Sequence, residues 1–175
     1  GSVDLINIRR KIRGSYERMV SVTQIVELLS ETIQTDDANP VFFDYVAALL
    51  DEIASMPVSD LPTCNIAFEA RLLVAIGLFP SLHNCVESGE TLTSAAKVHF
   101  DPRRGGVLAP KFGAELPRIR RSSLDLFERF SLGTDDTDLL DSRTALELRQ
   151  MLNDYWKHQL EKKLKMGPVL ESMIP

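Results

Sequence analysis

The residues best suited to chemistry in this chain are Cys85, His83 and His99: one thiol and two imidazoles, the side chains that hold divalent metals. A structural zinc ion needs about four such ligands in a tetrahedron, and a single thiolate does not hold it against water. The spacing follows neither Cys-x-x-Cys nor His-x(3-5)-His, so no metal site is expected. Cys85 reads instead as a small buried apolar residue in a turn. Cys64 and Cys85 are too few for a disulfide framework and fit reduced thiols.

Catalytic groupings are likewise missing from the sequence. There is no Gly-x-Ser-x-Gly elbow, His-Glu-x-x-His helix or phosphate-cradling Gly-x-x-x-x-Gly-Lys loop, so an enzyme is not expected. Asp136 and Asp138 have calcium-loop spacing, but the sixth place of that register is Asp141 rather than Gly, and helix capping accounts for them better. Glu69 lies in the apolar run Phe68-Glu69-Ala70-Arg71-Leu72-Leu73, where a structural ion pair is favoured over a functional carboxylate. His83, His99 and His158 have no carboxylate or cysteine constellation around them. Tyr155 and Trp156 could stack on bases, yet their helical spacing beside Leu152 and Leu160 reads as core.

The net charge of −5 opposes indiscriminate duplex binding, but the charges are segregated. Residues 21–70 hold nine acidic side chains and no Lys or Arg; residues 1–20 hold five basic against two acidic, and residues 101–121 six against two. Arg9, Arg10, Lys11 and Arg13, with Lys162, Lys163 and Lys165 near the other end, are the candidates for nucleic-acid contact; Arg118, Arg120 and Arg121 are candidates for an anionic partner. Each segment reads equally as a solvated helix face.

Helices must position these residues. Apolar residues recur at helical steps from about Arg10 to Gln34, with Gly14 a candidate true start. Asn39 and Pro40 open a second helix with Phe42, Val46, Leu49, Leu50 and Ile53 as its stripe, and Pro57 ends it. The third, from Leu61 to Ile76, is the most apolar and closes at Gly77. Lys97–Phe100 and Gly106–Ala109 read as two strands around a turn. Ser122 or Ser123 caps a short helix to Phe130, and a last helix runs from about Asp141 to Lys163. No run of about 18 apolar residues occurs, so a membrane span is not expected and a cytoplasmic protein is.

The stretch from Phe68 to Gly77, through Pro80 to Cys85-Val86-Glu87-Ser88-Gly89, resembles the RecO family of bacterial recombination mediators. There a Phe-Glu-x-x-Leu-Leu helix ends at Gly, passes a Pro and enters a zinc ribbon beginning Cys-x-x-Cys-Gly; here the second cysteine is Ser88. The likeness continues through Phe100 to Leu108, and at the places of the second cysteine pair this chain has Ala109 and Phe112. Lys163-Leu164-Lys165 matches a basic segment after the family's last helix, but Met166-Gly167 stands where Ser-Arg is usual.

The resemblance implies a mainly α fold: a single helical-bundle domain over residues 3–175 with a small β-hairpin remnant of a zinc ribbon at 85–112; Gly1-Ser2, by its own residue types, reads as a scar of tag cleavage. It covers the family's C-terminal helical region, without the N-terminal OB-fold barrel. No cofactor is implied, since only Cys85 of four zinc ligands survives. It further implies a non-enzymatic mediator in DNA repair that docks the acidic tail of single-stranded DNA-binding protein, associates with RecR, and helps RecA loading and strand annealing. DNA contact would lie mainly in the OB barrel. Docking would fall to Phe68, Arg71 and Leu72 with Arg118, Arg120 and Arg121. The alternative is a helical protein-interaction scaffold without direct DNA contact.

Overall fold

The computed structural model describes residues 10–33, 39–133 and 139–175. In chain order these form α1 (Arg10–Arg13), α2 (Tyr16–Thr32), α3 (Pro40–Ile53), a 3-10 turn (Val58–Asp60), α4 (Leu61–Ala75), β1 (Lys97–Asp101), β2 (Gly106–Leu108), β3 (Arg118–Arg120), α5 (Arg121–Ser131), α6 (Ser142–Gln159) and α7 (Met166–Ser172). The fold is mainly α with a small antiparallel sheet.

Side-chain caps set several of the helix starts. The first amphipathic stretch is split at Gly14; Ser15 then accepts from the Arg18 amide at 3.3 Å and begins α2. Asn39 caps α3 through the Phe42 amide at 3.0 Å, with Pro40 at the position that needs no N–H donor. Asp141 caps α6 through the Thr144 amide at 2.7 Å. Gly77, with φ of +72°, lets the chain turn away after α4.

At the centre lies α4, packed against α2, α3, α5 and α6. Phe68, Leu72 and Leu73 are fully buried there, each contributing about 1.5–3 kcal/mol of apolar burial. Ile25 and Leu28 of α2, Leu124 and Phe127 of α5, and Leu148, Leu152 and Trp156 of α6 complete the core around it.

The sheet has the order β2-β1-β3, both pairs antiparallel, with Phe100 opposite Val107 and Val98 opposite Ile119. The expected hairpin is therefore joined by a third strand that three residues between Pro117 and Arg121 were too short to announce. Residues 81–86 lie against β2: the Val107 amide donates to the Ser81 carbonyl and the Val86 amide to the Val107 carbonyl, both at 2.9 Å. Gly106 is required by that approach, since a Cβ there would stand 2.7 Å from the Ser81 carbonyl oxygen and 2.5 Å from Val86 Cγ1.

Two helix boundaries differ from expectation. Helix α5 starts at Arg121, so neither Ser122 nor Ser123 caps it; the Ser123 hydroxyl donates instead to Glu147 Oε2 at 2.5 Å. Helix α6, expected to run from about Asp141 to Lys163, stops at Gln159: Glu161 adopts φ of +53° and the chain turns into a further helix, α7. There Glu27 of α2 accepts from the Lys165 and Met166 amides at 2.7 and 3.1 Å.

Candidate functional site

Glu69 is fully buried and every polar contact it makes is to another element. Gln24 Nε2 of α2 and Arg149 Nη1 of α6 donate to Oε1 at 2.7 and 2.5 Å; Arg149 Nη2 and Trp156 Nε1 donate to Oε2, both at 2.7 Å. The network extends through Asn65 to Gln24, and from Arg149 Nε through Asn153 to Glu171 of α7. Sealed from solvent on every side, this carboxylate locks α2, α4 and α6 together and has no access to a substrate. Its partner is Arg149, 80 residues away, rather than its neighbour Arg71.

The six candidate docking residues do not converge. Phe68 and Leu72 are both 0% exposed, so they are core side chains and present nothing to a partner. Arg71 lies over the Tyr45 ring at 4.7 Å and donates through Nε to the Phe130 carbonyl at 3.2 Å, beside the C-terminal end of α5. Burial pushes the Tyr45 phenol and the Cys64 thiol each up to about 12; Arg71 opposes both shifts, whereas Glu52 adds to them. Arg121, at the other end of α5, is about 14 Å along the helix from Phe130. It is itself buried, donating through Nη1 to the Leu82 carbonyl at 2.6 Å and pairing with Asp125.

Arg120 is half-buried and committed to α6. Its amide and Nε donate to the two oxygens of Glu147 at 3.0 and 2.9 Å, and Nη2 to Thr144 Oγ1 at 3.0 Å. Arg118 is different: it is exposed and stands on the rim of a groove of about 390 Å³ between the sheet, α6 and α7. Phe100, Ile119 and Met151 form the floor, with Leu116 and Pro117 beside them. Three carboxylates share the rim. Glu147 is occupied by Arg120 and Ser123, and Glu171 accepts from Gln150 and Asn153, both at 2.9 Å; Asp154 is exposed.

The cationic segments fall at separate places. Lys11 and Arg13 are exposed beside the start of α2, whereas Lys162 pairs with Glu31 near that helix's far end, some 25 Å away by helical rise. Lys163 and Lys165 are exposed there too. One continuous cationic track along the two groups is therefore not formed. Arg9, the Arg10 side chain, Asp136 and Asp138 lie outside the described residues.

In the ribbon region Cys85 is buried, and its Sγ accepts from the Ala109 amide at 3.4 Å. Burial raises the thiol pKa, but the hydrogen bonds from the Ser88 hydroxyl and from the Ala109 and Ser88 amides outweigh it and hold Cys85 below its ordinary value. The imidazoles face elsewhere. His83 Nε2 is 2.7 Å from Glu128 Oε1 on α5, and His99 Nδ1 is 2.8 Å from the Leu116 carbonyl.

The family described as Recombination protein O C terminal matches residues 13–167, most of the chain. The chain belongs to the RecO family. It is 29% identical to the DNA repair protein RecO of Desulforamulus reducens over 93% of its length and 64% of the relative's. It is 33% identical to that of Prosthecochloris aestuarii over 54% of its length and 38% of the relative's, and 25% identical to that of Anaeromyxobacter sp. strain K over 99% and 70%. The chain thus spans about two fifths to two thirds of the first two RecO proteins. No solved structure matches it significantly. Among the described residues no helix is long and apolar enough to cross a membrane.

The Phe-Glu-x-x-Leu-Leu motif of the RecO resemblance is, in this chain, an architectural signature: Phe68, Leu72 and Leu73 fill the core and Glu69 ties the helices. The departure at Met166-Gly167 has a steric counterpart, because a Cβ at Gly167 would meet Asn153 Oδ1 at 2.5 Å. Sequence reading missed Arg149 and the groove. Arg149 carried a signal, being an arginine at helical spacing among Ala145, Leu148, Met151 and Leu152. The groove carried none, since its walls come from β3, α6 and α7, two of which the sequence does not announce.

Proposed function

We propose that this chain acts in DNA repair as the partner-docking part of a non-enzymatic recombination mediator, working in the cytoplasm. It binds the acidic, aromatic-ended tail of single-stranded DNA-binding protein and so helps RecA loading and strand annealing. RecO-family membership and the relatives' name, DNA repair protein RecO, support the repair role. The docking half rests on the groove beside β3: an apolar floor with room for an aromatic side chain, and Arg118 exposed at the rim to meet a carboxylate. Association with RecR, and DNA contact chiefly through the family's OB barrel, belong to the same proposal.

The exposed Asp154 on that rim favours a second reading, a helical interaction scaffold whose groove takes a partner that is not acidic and which makes no direct DNA contact. Binding of a labelled tail peptide and of a single-stranded oligonucleotide, each titrated with salt, separates these. Saturable tail binding lost on deleting the terminal aromatic supports docking. Oligonucleotide binding that falls steeply with salt would assign nucleic-acid contact to this chain; no binding of the tail by the folded protein would remove the docking reading.

A further inference from the structure

The RecO resemblance implies a zinc ribbon, and the residues here do not fit the ion. The four ligand places hold Cys85, Ser88, Ala109 and Phe112: one thiol, one weak hydroxyl donor and two side chains that cannot ligate. His83 and His99 do not replace them, the first being bonded to Glu128 and the second to the Leu116 carbonyl. Among the described residues no three His, Cys, Asp or Glu side chains are grouped to hold a metal.

The backbone around those four places is nonetheless built as two facing turns. In the first, the Gly89 amide donates to the Cys85 carbonyl and the Cys85 amide to the Glu90 carbonyl, both at 2.8 Å, with Gly89 at φ of +73°. In the second, where the two ligand places again stand three positions apart, the Phe112 amide donates to the Ala109 carbonyl at 2.9 Å. The two meet where the Ala109 amide donates to Cys85 Sγ at 3.4 Å. Outside that contact, Lys111 of the second turn pairs with Glu90 of the first at 3.8 Å.

We infer that this ribbon is metal-independent, that the Cys85 Sγ to Ala109 hydrogen bond and the packing around it close the two turns in place of an ion, and that the turns keep the frame of a four-thiolate site. Ser88→Cys, Ala109→Cys and Phe112→Cys together then complete a tetrahedral site. The exposed places of Ser88 and Phe112 give two of the new thiols room, and the third falls where an amide already reaches Cys85 Sγ.

The test uses cobalt(II) as the probe, because tetrahedral thiolate coordination gives an intense visible band. The unaltered chain should show no such band, contain no stoichiometric zinc as purified, and melt at the same temperature with and without a strong chelator. The triple variant should take up one cobalt per chain, release it to zinc, and melt higher with zinc present. Stoichiometric zinc in the unaltered chain, or a melting temperature lowered by chelator, would overturn metal independence. If the triple variant does not fold, Ser88→Cys with Ala109→Cys supplies three thiolates and an open fourth place. Failure of both variants to bind cobalt would overturn the preserved frame.

Discussion

Arg149 of α6 grips Glu69 of α4 with both terminal nitrogens, Nη1 to Oε1 at 2.5 Å and Nη2 to Oε2 at 2.7 Å, where neither side chain reaches water. A pair so placed gains little net energy over apolar residues of the same shape, because desolvating two charges offsets their attraction. Losing one partner is another matter, since the remaining charge stays buried and uncompensated.

Glu69→Gln should therefore cost about 3–5 kcal/mol. Trp156→Phe, which removes one hydrogen bond to the same carboxylate and leaves a void where the buried indole stood, should cost about 2–5 kcal/mol. Urea unfolding midpoints at constant slope check both. A Glu69→Gln loss below about 1 kcal/mol would mean that the ion pair is not what ties α4 to α6.

The ribbon's tolerance of a methyl group should differ between two glycines. At Gly106 the new Cβ meets a backbone carbonyl at 2.7 Å, whereas at Gly89 it meets nothing within 4 Å and the strain is the φ of +73° alone. Gly106→Ala should cost about 1–3 kcal/mol by overpacking, and Gly89→Ala about 1 kcal/mol. Thermal melts in parallel decide the order; equal losses would contradict the close packing of residues 81–86 on β2.

Alkali should destabilise the fold through Cys64 and Tyr45. Burial raises both, each to about 12, the thiol from 9.0 and the phenol from 10.0. A raised folded-state pKa means that the folded chain holds its proton where the unfolded chain releases it. The associated stability is complete below pH 9 and falls as pH rises from there towards about 12. Cys64→Ala should flatten the first part of that fall, measured as denaturant midpoints over the alkaline range. An unchanged slope would show that the thiol ionises as easily folded as unfolded.

Much of the bundle was legible because local chemistry and tertiary packing agree in it. Asn39-Pro40 and Gly77 end or begin helices through their own side-chain and backbone properties. The buried stripe of α3 follows a 3.6-residue period, with Val46, Leu49 and Ile53 inside. Where a boundary depends on a distant partner, sequence is silent. Arg118–Arg120 is a strand because β1 lies beside it, Ser123 donates its hydroxyl to Glu147 instead of capping, and α6 stops at a non-glycine residue in the left-handed region. The same limit divided the candidate site. The type of residue announced arginines, but burial and pairing assigned Arg120 and Arg121 to architecture and left Arg118 on the groove.

The most direct measurement is the fluorescence anisotropy of a labelled single-stranded DNA-binding-protein tail with three proteins: the unaltered chain, Arg118→Glu and Asp154→Lys. Both side chains are exposed on the groove rim, so neither substitution disturbs the core. The account predicts saturable binding, weakened about tenfold or more by Arg118→Glu and strengthened several-fold by Asp154→Lys, as expected for about 1–2 kcal/mol per charged contact. Tail binding indifferent to both substitutions, or shifted in the opposite directions, would contradict docking in this groove.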